Sequence, residues 1–266
     1  MEPSLEGRVA LVTGASSGIG AAIARAFVDA GARVHATARR GELITAALGE
    51  EHVAARRAVV HLPDLTDTAA LEALAGKLAV TDPIDILVCA AGTNVTERRF
   101  HELTSESWEE VRSLNLDSIF HLMRLTMPQL RTHGGDVILV ASVSAAWPDH
   151  SGPAYQASKA AVVALGRGVS RDEHTNGVRV TSILPGIVDT PLLDRRPSPP
   201  PPEVRDWCLK PEDVAAAALA AVSLPPRAHI AEMTIVATRL QSIGNTQAAT
   251  PQLPATLARP NARTRG

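Results

Sequence analysis

The chain has 266 residues, 45% hydrophobic and 20% charged, with a formal net charge of -2. That length suits one large α/β domain with a sizeable buried core, and the charge leaves no electrostatic footprint for nucleic acid or an anionic membrane. Cys89 and Cys208 stand far apart, no apolar run approaches the roughly 20 residues of a membrane span, and the N-terminus lacks the sections of a secretory signal, so a cytoplasmic protein is expected.

Short runs rich in β-branched residues alternate with longer alanine-rich segments. "VALVTG" from Val9 predicts a strand, Ala21 to Ala30 a helix, and "RVHATA" from Arg33 and "AVVHLPD" from Ala58 two further strands. Helical spacing over Thr68 to Ala79 leads to "DILVCAAG" from Asp85, and a long helical stretch from Glu106 to Gln129 leads to "DVILVAS" from Asp136. A helix over Tyr155 to His174 precedes "VRVTSILPG" from Val178. "RRPSPPPPEVR" then marks a loop within about 190-210, "KPEDVAAAALAAV" opens a helix with Pro211 in its first turn, and "HIAEMTIVAT" reads as one more strand. From about Gln241 to residue 266 the chain is polar and aperiodic, so a flexible tail is expected there, with residues 1-240 as one domain. Strands alternating with helices demand crossover connections. The fold expected is therefore a Rossmann-type doubly wound parallel sheet of about seven strands with helices on both faces.

"LVTGASSGIGAAIARAF" sets glycines at the junction of the first strand and helix. Such a turn puts unpaired backbone N-H groups and the positive end of a helix dipole at one point, where phosphate binds. Gly14, Ser16, Ser17, Gly18, Ile19 and Gly20 are the candidates for this cradle. About 20 residues on, where an acid would hold the ribose hydroxyl of NAD, stand Arg39 and Arg40. Two guanidinium groups fork onto a 2'-phosphate, which favours NADP(H) over NAD(H).

"TGASSGIG", Thr13 to Gly20, resembles the short-chain dehydrogenases/reductases, and the resemblance extends over about residues 5 to 240. It implies an adenine contact at Asp64 and Leu65 and a cofactor-facing backbone at Ala91 and Gly92. "CAAG", Cys89 to Gly92, stands where the family usually writes N-N-A-G, so a source of fourth-strand hydrogen bonds and one cofactor contact are missing. "PGIVDTP" supplies Pro185, Gly186, Val188 and Thr190 to the nicotinamide end.

Tyr155 and Lys159, four apart on one helix face, form a phenol-ammonium pair that would lower the tyrosine pKa from about 10 toward neutrality. Ser142, at the end of its strand, matches the family serine that donates to the substrate oxygen, with Ser144 ranked second. Asn115 resembles the family asparagine that holds a water joining the lysine to solvent. The resemblance implies hydride transfer between NADP(H) and a small-molecule carbonyl or alcohol, without metal; the nine histidines show no ligand spacing. "VHATARR", "AWPDHSGPAY" and the strand Ile230 to Thr238 resemble the NADP-dependent 3-hydroxy acid (serine-type) dehydrogenases and carbonyl reductases, and with them a homo-oligomer, tetramer or dimer. A 3-oxoacyl thioester reductase and a non-catalytic NADP-binding regulatory protein are the alternatives.

Overall fold

Each strand of a pleated sheet turns successive side chains to opposite faces, so a sheet covered on both sides needs apolar residues at every position. The computed structural model, which describes residues 4–241, shows this arrangement. In chain order the elements are β1 (Val9–Thr13), α1 (Gly18–Asp29), β2 (Arg33–Thr37), α2 (Gly41–Leu48), α3 (Glu50–Ala54), β3 (Ala58–His61), α4 (Thr68–Thr81) and β4 (Ile86–Cys89). They continue with α5 (Ser105–Arg112), α6 (Ser118–Leu130), β5 (Asp136–Val140), α7 (Pro153–Glu173), β6 (Arg179–Pro185), α8 (Pro202–Arg205), α9 (Pro211–Val222) and β7 (Glu232–Ile235).

The seven strands are all parallel, in the order β3-β2-β1-β4-β5-β6-β7. Ala10, Val12, Ile86, Val88, Ile138 and Val140 face one core with Ile23 and Phe27 of α1 and Val214 and Ala218 of α9. Their neighbours Leu11, Leu87, Val137 and Leu139 face the other, against Leu71 and Leu78 of α4, Leu122 of α6 and Val162 of α7. Because the chain runs outward from β1 to β3 and then returns to β4, a crevice opens beyond the carboxyl ends of β1 and β4. The opposite end is tied by charge. Asp136, 3% exposed, accepts from Arg179 Nε at 2.7 Å and Arg8 Nη2 at 3.0 Å.

Five local expectations change. Helix α1 starts at Gly18, three residues before Ala21, because the glycine turn is already helical at its second half. Two helices, α2 and α3, occupy residues 41–54, where the buried pair Ile44 and Leu48 supplied a helical spacing too short to stand out. The long stretch from Glu106 to Gln129 is interrupted by a π-helical turn, Ser113–Asp117, between α5 and α6. The last strand shrinks to Glu232–Ile235, and the proline-rich loop holds a 3-10 turn, Pro191–Arg195, besides α8. Gln241 is the last described residue; the rest of the expected tail lies outside the described residues. Among the described residues no helix is long and apolar enough to cross a membrane.

Candidate active site

The glycine turn is built to bring backbones together. Gly14 has φ +70°, and a Cβ there would stand 2.8 Å from Ala91 N and Cα, so only glycine lets the end of β1 lie against the end of β4. Gly18 faces Thr190 across the crevice, with its hypothetical Cβ 3.1 Å from Thr190 Cγ2. Ser17 precedes α1 without capping it by its side chain, and Ser16 and Ile19 flank it, half-buried; Gly20 is buried. The backbone donors of the first helical turn are thereby left to a ligand. This cradle, with two guanidinium groups beyond it, fits a dinucleotide phosphate. Arg39 and Arg40 are exposed at the end of β2, and neither forms an ion pair with a described residue. Asp64 lies near enough for Arg39 to help hold its carboxyl below the usual range, after the larger effect of hydrogen bonds from Thr66. Leu65 beside it is buried.

The missing asparagines of "CAAG" have a local substitute. Thr13 Oγ1 accepts from Ala90 N at 3.1 Å and Ala91 N at 3.2 Å while donating to Val88 O at 3.3 Å, fastening the end of β4 to β1. The thiol of Cys89 is buried, which pushes its pKa up to about 12.

Tyr155 and Ser142 line one cavity of about 120 Å³ at the carboxyl ends of β5 and β6, together with Ile19, Pro185, Gly186, Val188 and Thr190. Pro153 occupies the first turn of α7, so Tyr155 emerges near the helix start and points into the crevice. Lys159, one turn later and 4% exposed, donates to Val140 O at 2.8 Å; its Nζ is 5.7 Å from the centre of the phenol ring. Gly92 backs onto the same amine. Asn115 is fully buried inside the π turn. Its Oδ1 accepts from Thr93 N at 2.8 Å and its Nδ2 donates to Thr93 O at 3.0 Å and Ser158 Oγ at 3.1 Å. The extra residue of the π turn is what aims this amide at both the β4 loop and α7.

One electrostatic expectation is reversed. Tyr155 is not lowered toward neutrality: burial pushes it up to about 12, opposed chiefly by its hydrogen bond with Ser142. Lys159 is itself desolvated, which pulls it down to about 8. A buried ammonium spent on a carbonyl does less for its neighbour than helix spacing alone suggests.

Sequence reasoning named Ser144 but missed several other lining residues. Ser144, ranked second, donates to Asp149 Oδ2 at 2.5 Å and accepts from Ser142 Oγ at 3.1 Å. Asp149, Arg98 and Arg196 line the cavity, and no spacing in the sequence connects them. Ile187 N donates to Gln241 Oε1 at 2.7 Å, placing Gln241 at the rim.

The family model described as "short chain dehydrogenase" matches residues 8–200. An uncharacterized oxidoreductase of Staphylococcus haemolyticus is 32% identical over 238 residues, covering 87% of this chain and 97% of its own. The NADP-dependent 3-hydroxy acid dehydrogenase YdfG of Salmonella typhi is 35% identical over 185 residues, 68% of this chain and 72% of its own. Among solved structures, an alcohol dehydrogenase from Thermococcus sibiricus complexed with 5-hydroxy-NADP superposes with TM-score 0.78 at 27% identity, covering 88% of this chain and 98% of that one. Sheet order, glycine cradle and the family match agree: this chain is a member of the short-chain dehydrogenase family of oxidoreductases.

Proposed function

We propose that the protein is an NADP(H)-dependent oxidoreductase interconverting a carbonyl and a secondary alcohol, with a 3-hydroxy acid or a small ketone as substrate. One observation carries this reading: Tyr155 and Ser142 share a cavity whose far wall is the Pro185 to Thr190 segment, with Lys159 directly behind the phenol. When bound, the dinucleotide supplies or accepts the hydride at the reacting carbon. The Ser142 hydroxyl donates to the substrate oxygen and stabilises its developing charge. Burial keeps Tyr155 protonated, as a proton donor to that oxygen must be. The Lys159 ammonium, charged below about pH 8, stabilises the phenolate left when the proton departs. Asn115 acts as a positioning residue, since its amide locks Thr93 to Ser158 one residue before Lys159.

Gly14, Ser16, Ser17, Gly18, Ile19 and Gly20 hold the pyrophosphate, Asp64, Leu65, Ala91 and Gly92 line the adenosine side, and Pro185, Gly186, Val188 and Thr190 the nicotinamide. NADP preference is assigned to Arg39 and Arg40, and the NADP dependence of the Salmonella relative and the NADP analogue bound by the Thermococcus enzyme support it. Trp108 and Phe120, 43% and 47% exposed on α5 and α6, support a homo-oligomer closed across those helices. The two cysteines, both buried and free, suit the reducing cytoplasm.

The test is NADPH oxidation at 340 nm with a panel of ketones, free acids and acyl thioesters, run beside NADH. Arg39→Ala with Arg40→Ala is expected to weaken NADPH binding about tenfold or more and NADH binding much less. Equal losses contradict the 2'-phosphate assignment. Thioesters outrunning free ketones would make the protein a 3-oxoacyl reductase, and cofactor binding without turnover a regulatory protein.

A further inference from the structure

We propose that Arg98, seconded by Arg196, anchors an anionic group of the substrate, so that the compound reduced or oxidised here is a carboxylate. This rests on the reading of Tyr155 as the group that faces the reacting oxygen.

Arg98 stands in the loop between β4 and α5, is 7% exposed, and lines the same cavity as Tyr155 and Ser142. Its hydrogen bonds go to neutral carbonyls, from Nη2 to Arg195 O at 2.6 Å and from Nε to Thr96 O at 3.4 Å. No carboxylate of a described residue lies within ion-pair distance of it. Removing a guanidinium from water without a counter-charge is costly. The chain avoids that cost elsewhere: even the half-buried Arg179 is paired with Asp136 in a two-pronged contact.

The surroundings of Arg98 add positive charge. Arg196 lines the same cavity, and after desolvation its nearness is the largest influence lowering the Arg98 pKa. Asp149 is the one carboxylate among the described lining residues, and its oxygens already accept from Ser144 and Ser151. Among the described residues the lining thus sets two guanidinium groups beside one carboxylate. Arg98, which has no carboxylate of a described residue within ion-pair distance, offers an entering anion a guanidinium, and guanidinium groups take carboxylates in forked pairs.

Arg98 is also held in place relative to the phenol. Gly152, three residues before Tyr155, has φ +88°, and a Cβ there would stand 2.4 Å from Arg98 O and 2.8 Å from Arg98 Cβ. Asn94 Nδ2 donates to Ser151 O at 2.9 Å, tying the same loop to the start of α7. The distance from cation to proton donor is thus fixed by backbone contacts, which lowers the entropy lost on binding. A rival role exists. Arg98 joins the loop at Arg195, and Arg195 Nη1 returns a bond to Thr93 Oγ1 at 2.7 Å, so Arg98 could serve only to knit two loops.

The experiment compares 3-oxobutanoate with its neutral analogue 3-oxobutanamide as substrates, and measures calorimetric binding of 3-hydroxybutanoate and 3-hydroxybutanamide, for wild type, Arg98→Gln, Arg98→Lys and Arg196→Gln. The wild type is expected to favour the acid over the amide by about thirtyfold or more in kcat/KM, as expected for a desolvated charge pair. In Arg98→Gln this ratio collapses toward one; Arg98→Lys and Arg196→Gln retain part of it, and binding shows the same division. A wild-type ratio near one, or an Arg98→Gln variant that loses acid and amide alike, reduces Arg98 to a loop tie and overturns the proposal. If ketones turn over with a flat ratio, only this inference falls. If nothing turns over, the functional reading falls, and the calorimetry still decides the role of Arg98. Should Arg98→Gln fail to fold, Arg98→Lys with Arg196→Gln carries the comparison.

Discussion

Tyr155 is the chain's only tyrosine, and its position four residues before Lys159 marks it in the sequence. Its acidity is a different matter. Helix spacing places an ammonium nearby, but the depth to which both groups are buried is set by β5, β6 and the loops around them, none of which the spacing encodes. The amine therefore reaches Val140 O and the phenol stays protonated well above neutral pH. Lys159 keeps its charge below about pH 8 and sheds it above, so reductive kcat/KM is expected to be flat at lower pH and to fall about tenfold per unit as pH rises past 8. A pH profile of wild type and Lys159→Arg checks this. The break should move beyond the measurable range in the arginine variant; an unmoved break assigns it to another group.

At the scale of elements, the strand-helix alternation and glycine turn were legible because both depend on local chemistry: burial on two faces, and φ above zero at Gly14. The π turn was not, since an extra residue in a helix leaves hydrophobic spacing almost unchanged while swinging Asn115 fully inward. The absence of asparagine at Cys89 and Ala90 was visible, but its replacement was not: Thr13 is 76 positions before Cys89 in the chain and meets β4 only through sheet pairing. Thr13→Val removes the acceptor of two backbone N-H groups and is expected to cost about 1–3 kcal/mol of stability. Denaturant unfolding measures it. A loss below about 0.5 kcal/mol would mean that the β4 end is held by something else.

Across the whole molecule the two ends of the sheet do different work. The carboxyl ends gather Gly14, Ser142, Tyr155 and Thr190, which come from four separate stretches of sequence and meet only because the strand order reverses at β1 and β4. The amino ends carry the Arg8, Asp136 and Arg179 cluster, remote from the cavity. Asp136→Ala strands two half-buried cations and is expected to cost about 3 kcal/mol by thermal or denaturant unfolding while the folded fraction keeps its KM. A change in KM without loss of stability would contradict that division. Arg98, Asp149 and Arg196, which line the cavity, come from three loops whose meeting no motif announces.

The proposed chemistry depends on Tyr155 giving its proton to the substrate oxygen beside the bound dinucleotide. Single-turnover oxidation of NADPH by wild type and Tyr155→Phe, with cofactor binding followed by fluorescence, tests it most directly. The phenylalanine variant is expected to bind NADPH and to lose at least about a thousandfold in the rate of the chemical step. Turnover within a few fold of wild type would contradict the assignment.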